Sequence, residues 1–266
     1  MQNSNIKNLI KQADAIAIFA GAGMGVDSGL EQYRGANGLW EKNMRIGNKE
    51  IRHIDLMTHQ AFVKTPKEAW TFIAYLINKY NNIKPHEGFY KLLELVKNKD
   101  YFIITSNIDE HFQKAGFSEY KIFEIHGSIF YMQSMDILEK EIWLTPKLKF
   151  DKKNFILKSP IPKCLGGKYN CRPNIMMFGD WFWVATKSLH QQKRYIDWQK
   201  QIKAKYKNIV ALEIGAGTVI RTIRAASERF VTDKYPLIRI NLNDYEVNRN
   251  NHIGIQSGAK DFLTNL

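Results

Sequence analysis

With only two cysteines in 266 residues, Cys164 and Cys171, the chain cannot build a disulfide framework, and a reducing cytoplasm is the setting this suggests. No apolar run approaches the roughly 20 residues needed to cross a bilayer, so a membrane-spanning chain is not expected. The opening segment from Met1 to Gly23 lacks the charged, apolar and small-residue succession of a signal peptide, and secretion is not expected either. Repeats of 20–50 residues and low-complexity tracts are absent, which sets aside solenoid and fibrous architectures. Negative charge is in short supply. Lys and Arg number 39 against 26 Asp and Glu, a net charge of +13 that favours anionic partners: nucleic acid, acidic protein surfaces or a phosphate-bearing cofactor. Apolar residues make up 44% and charged residues 24%, the balance of a globular chain large enough for one big domain or two modest ones.

What is present is a set of short, continuous apolar runs. Ile16–Ala20, Tyr101–Thr105, Ile209–Ile214 and Leu237–Asn241 each read as a buried strand, and helical patterns such as Asn5–Ala13 and Phe89–Val96 lie between them. Alternation of that kind predicts an α/β fold with a mostly parallel sheet covered by helices on both faces. Three of the runs end in Gly, Asn or Asp loops, where open α/β sheets place their ligands. Two stretches break the alternation. Residues 43–82 look helical and aromatic-rich, with Pro66 near a helix start, and residues 130–176 carry Pro146, Pro160, Pro162 and Pro173 among many lysines. Both read as insertions that form a smaller domain.

Chemistry-bearing residues cluster at the strand ends. Gly21-Ala22-Gly23-Met24-Gly25 follows the first run, and a strand entering a glycine turn and then a helix offers N–H groups to a pyrophosphate. Val26 occupies the third-glycine position of the dinucleotide-binding pattern, and a turn built only for tight packing is the alternative. Tyr33-Arg34-Gly35 stands shortly after; by itself it also fits a solvated loop. Ser106-Asn107-Ile108-Asp109 follows the second run, where Asn and Asp either face one ligand or simply build the turn. His126-Gly127 follows the short stretch Ile122-Phe123, and an imidazole titrates in the range a base at neutral pH needs. Arg172-Pro173-Asn174-Ile175-Met176-Met177-Phe178-Gly179-Asp180 reads as an aromatic-rich hinge or as a groove edge for an extended peptide.

In order, Gly21-Ala22-Gly23, Ser28-Gly29-Leu30, Tyr33-Arg34-Gly35, Asn107-Ile108-Asp109, His126-Gly127, Arg172-Pro173-Asn174 with Phe178-Gly179-Asp180, Gly215-Ala216-Gly217 and Asn241-Leu242-Asn243 resemble the sirtuin family, in a bacterial-type form. The resemblance runs from about residue 12 to the C-terminus. It implies a Rossmann-like NAD-binding domain over 1–42, 83–129 and 177–266, with a small inserted domain of helical and zinc-ribbon-like segments over 43–82 and 130–176. It further implies an enzyme that consumes NAD to remove acyl groups from lysine, releasing nicotinamide and O-acyl-ADP-ribose, with an acyl-lysine protein or peptide as partner.

Carried over residue by residue, the resemblance makes His126 the general base and Asn107 its companion in catalysis. Gly21, Ala22, Gly23, Tyr33, Arg34, Ser106, Asn107, Asp109, Gly215, Ala216, Gly217, Asn241 and Asn243 become contacts to NAD. Met177, Phe178 and Gly179 would line the acyl-lysine channel. Departures from the family pattern are Glu31-Gln32 in place of Pro-Asp, Ser106 in place of Gln, and the loss of the paired zinc cysteines, since Ser128–Ser134 holds none and only Cys164 survives near the second pair. Zinc is therefore not expected. Ser106 motivates a second reading, NAD hydrolysis or ADP-ribosyl transfer to protein, and the basic surface a third, an NAD-sensing module. Lys187, Lys193, Arg194, Lys200, Lys203, Lys205 and Lys207 would suit nucleic acid, though no recognised binding module accompanies them.

Overall fold

The apolar runs do pair as strands. A computed structural model describes residues 2–33, 38–164, 170–231 and 234–266, and the chain divides into two compact units. The first comprises Met1–Leu30, Lys84–Ile125 and Ser188–Leu266. Six strands form its sheet: β1 (Ala15–Ala20), β2 (Asp100–Thr105), β3 (Ile122–Glu124), β4 (Ile209–Ile214), β5 (Leu237–Asn241) and β6 (Ile253–Gln256). Their order is β6-β5-β4-β1-β2-β3, and every neighbouring pair is parallel. Strands alternate their side chains across the sheet, and β1 shows the consequence. Ile16, Ile18 and Ala20 join one core with Phe89 and Leu92 of helix Glu87–Val96 and with Ile6 and Ile10 of helix Gln2–Gln12. Ala15, Ala17 and Phe19 join the other with Ile202 of helix Thr186–Lys205 and Phe230 of helix Thr222–Phe230. Burying each large side chain in these cores stabilises the fold by about 1.5–3 kcal/mol, which is why β1 reads as an unbroken apolar run.

The second unit comprises Glu31–Ile83 and His126–Lys187. Its three-stranded antiparallel sheet runs in the order Cys171–Ile175, Gly127–Ser134, Ile142–Leu144. Helix Pro66–Asn82 begins with proline at its first turn and buries Trp70, Phe72, Ile73 and Leu76. The Trp70 indole N–H donates to the Cys171 carbonyl at 2.8 Å, tying that helix to the edge strand. Residues 43–52, read from the sequence as part of a helical stretch, instead form a hairpin, Asn43–Ile46 against Lys49–Arg52. The two-residue turn Gly47-Asn48 explains the difference, because this pair favours the tight turns that close hairpins. Among the described residues no helix is long and apolar enough to cross a membrane.

Candidate functional site

In a sheet of this order the chain leaves β1 and β4, its central neighbours, toward opposite flanks, and the crevice beyond their C-terminal ends is a natural ligand site. Glycine turns stand on both sides of it. Gly21 N–H donates to Ile214 O at 2.9 Å and Gly23 N–H to Gly215 O at 3.0 Å, so the two turns are stitched backbone to backbone. A Cβ on Gly215, whose φ is +64°, would lie 2.4 Å from Met24 N, which leaves glycine as the residue that fits. The helix expected after the first turn is a single turn, Gly23–Val26. Met24 and Gly25 spend their N–H groups on Gly21 O and Ala22 O, and among the described residues no hydrogen bond engages the N–H of Ala22 or of Gly217. Those turn amides are among the groups available to an anionic ligand.

The loop after β2 braces the same turn. Ser106 N–H donates to Ala20 O at 3.2 Å, and the Asn107 side-chain amide donates to Gly21 O at 3.1 Å. Thr105, beneath them, accepts from Asn107 N–H at 3.0 Å and donates to Ala20 O at 3.0 Å. Asp109 is 7% exposed, and its carboxylate accepts His111 N–H at 2.9 Å. Burial pushes Asp109 above the usual carboxylate range, against the pull of His111 and Lys114. Beyond β5, the Asn241 side chain donates to Ala216 O at 3.0 Å, while Asn243 stands exposed on the same loop. The first unit thus gathers Gly21, Ala22, Gly23, Ser106, Asn107, Gly215, Ala216 and Asn241 into one bonded set at the strand ends, with Gly217, Asp109 and Asn243 on its loops.

The remaining candidates belong to the second unit. His126 is its first residue after β3; the His126 carbonyl accepts Met176 N–H at 2.9 Å, and Gly127 beside it has φ +76° with no room for a side chain. Tyr33 and Phe178 flank Trp40, with ring centroids 4.8 and 5.8 Å away, and the Tyr33 and Tyr80 hydroxyls share a hydrogen bond. Met177 is buried and its N–H donates to Asp180 at 3.2 Å, and Gly179 turns the loop with φ +61°. Arg34 lies outside the described residues.

Three features escape a reading of the sequence. Glu124, buried at the end of β3, receives the side-chain amides of Gln113 and Gln191 at 2.9 and 3.0 Å. Arg172 and Asp180, both fully buried side chains, form an ion pair. Arg224 reaches the loop carbonyls beyond β4 and β5. Each pairing depends on topology, and nothing in the local pattern signals it. As for metal, among the described residues no three His, Cys, Asp or Glu side chains gather closely enough to hold an ion. Both cysteines are buried, and burial beside Cys164 pushes the Cys171 thiol up to about 12. This donor set does not fit a four-thiolate zinc site.

The model of the Sir2 family matches residues 21–200. The chain belongs to the Sir2 family. An NAD-dependent protein deacylase of Pyrococcus abyssi is 34% identical over 176 residues, 65% of this chain and 63% of that protein. Its counterpart in Pyrococcus furiosus is 31% identical over 175 residues, 65% and 64% of the two chains. The matched region thus spans just under two thirds of the length of these curated relatives. Among solved structures, a Sir2 homologue in complex with NAD superposes with a TM-score of 0.70 at 18% identity, covering 100% of this chain and 92% of that one. That likeness establishes the Sir2 fold. The family match takes in the first glycine turn, Asn107, Asp109, His126 and Gly179, and ends before the second glycine turn.

Proposed function

We propose that this Sir2-family chain is an NAD-dependent protein lysine deacylase acting on an acyl-lysine protein or peptide. One observation carries the reading: two stitched glycine turns at the central crevice of the sheet, braced from the β2 loop by Asn107, within a chain of this family. The crevice residues fit a dinucleotide, because the free turn amides of Ala22 and Gly217 suit its phosphates and the side chains around them are small. NAD, when bound, supplies an ADP-ribosyl group whose bond to nicotinamide breaks and whose ribose takes up the acyl group.

On this reading the glycines serve by close backbone approach, since the Gly23 N–H is already spent on Gly215 O. Asn107 holds the first turn while offering its amide oxygen to a ribose, and Ser106 and Asp109 shape the nicotinamide side. Asp109, held above the usual carboxylate range, is suited to share a proton with a carboxamide. Gly215, Ala216, Asn241 and Asn243 hold the adenosine half. His126 takes a proton from a ribose hydroxyl, and Tyr33 contacts the NAD. Met177, Phe178 and Gly179 receive the acyl-lysine, with Gly179 free to turn the loop. A reducing cytoplasm is the compartment we infer from a chain with only two cysteines.

Nicotinamide release from NAD by the purified chain, with and without an acetyl-lysine peptide and beside His126→Ala, tests the proposal. Release is expected to need the peptide and to fall by about two to four orders of magnitude in the variant. Release without peptide would move the assignment to NAD hydrolysis or ADP-ribosyl transfer. Peptide-dependent release that persists in His126→Ala would contradict the role given to the histidine.

A further inference from the structure

Helix Thr222–Phe230 carries an arginine on its buried face. Arg224 is 7% exposed, yet no carboxylate makes close contact with it. The nearest carboxylate, on Glu213, lies 4.0 Å away and is already held by Arg239 Nε at 2.6 Å and by the Ser227 hydroxyl. One terminal nitrogen of Arg224 donates instead to two backbone carbonyls, Ala216 O at 2.9 Å and Asp244 O at 2.5 Å, while Nε is buried without a partner. Burial, and Arg239 nearby, make the charge harder to hold and lower its pKa. A methionine would fill much of the same space without burying a cation, so packing alone does not explain the residue.

The two carbonyls belong to the loops that follow β4 and β5. Asn241 donates to the same Ala216 carbonyl at 3.0 Å, and Thr218 reaches the Asp244 carboxylate at 3.4 Å. We infer that Arg224 is a positioning residue for the ADP half of the dinucleotide, a buried tie that sets the spacing between Gly215–Gly217 and Asn241–Asn243. The inference rests on the NAD reading above. A tie of this kind governs affinity for the dinucleotide and leaves the reacting end of the ligand alone.

Titration calorimetry with ADP-ribose and with NAD, on the wild-type chain, Arg224→Met and Arg224→Lys, tests it, with thermal melts to establish that each variant is folded. Arg224→Met is expected to lose about tenfold in affinity for both ligands, because both carry the ADP group. Its KM for NAD should rise by a similar factor, with kcat and the peptide KM within about twofold of wild type. Arg224→Lys retains a single cationic donor nitrogen and is expected to recover to within about threefold. Should the methionine variant not fold, Arg224→Gln replaces it with the same expected loss. Wild-type affinity in folded Arg224→Met, or a loss confined to NAD, would overturn the tie. Failure of the wild-type chain to bind either ligand would overturn the NAD reading, and the tie with it.

Discussion

The two units bury their polar groups by different means. In the first, the sheet faces are mostly apolar apart from one buried pair, Glu213 with Arg239, and the site's polar side chains collect at the strand ends, where Thr105, Asn107, Asn241 and Arg224 bond to backbone carbonyls of neighbouring strand ends and loops. In the second, a polar cluster lies inside. Gln133 accepts Asn174 Nδ2 at 3.1 Å and Val184 N–H at 3.0 Å, and Arg172 pairs with Asp180, which also receives Met177 and Phe182 N–H. The contrast teaches where precision comes from. Crevice geometry in the first unit follows from strand order and glycine contact, so many residues share in holding it. The Met177–Gly179 loop of the second hangs on one ion pair.

That contrast is broken most severely at Arg172. Arg172→Met leaves the Asp180 carboxylate buried without its cation and is expected to cost about 3–5 kcal/mol in denaturant unfolding. Adding Asp180→Asn should recover part of the loss, since it removes the unpaired charge and its amide oxygen still accepts one of the two loop N–H groups. A single-variant cost below about 1 kcal/mol would mean that the pair does not hold the loop.

Gly215→Ala comes next. Its positive φ and the 2.4 Å approach to Met24 N predict a loss on the order of 1–3 kcal/mol. A disproportionate fall in NAD affinity should accompany it, read by calorimetry. Unchanged affinity would show that the two turns tolerate separation.

The smallest effect concerns Asp109, and it separates site from scaffold. Burial raises its pKa in the folded state, so folding favours the protonated acid. Stability tied to this group is full below the ordinary aspartate value and is lost as pH rises through the raised one. Asp109→Asn removes that step. The variant should be more stable than wild type at neutral pH, with the margin closing on acidification, while NAD-dependent activity falls. Equal stability at every pH would contradict the burial cost.

Much of the fold was legible because its causes are local. Ile16–Ala20, Tyr101–Thr105, Ile209–Ile214 and Leu237–Asn241 carry mostly apolar residues on both faces of a covered sheet, an environment such runs suit. Strand β6 was not legible: Ile-Gly-Ile-Gln at the sheet edge is only half buried, and its pattern resembles a loop. The hairpin at 43–52 hid inside a stretch dominated by the helical periodicity of 66–82. At the candidate site, residue types and chain order pointed to the strand-end loops. Their bonds did not follow from order: Arg224 reaches back to Ala216 and forward to Asp244, and Glu124 finds Gln191 sixty-seven residues on. Such partners are set by which strands lie side by side.

Hydrogen exchange on the purified chain, with and without NAD, tests the central claim most directly. The account predicts added protection confined within the first unit to the loops around Gly21–Gly25, Ser106–Asp109, Gly215–Thr218 and Asn241–Asp244. Protection that spares these strand ends, or none at saturating NAD, would contradict it.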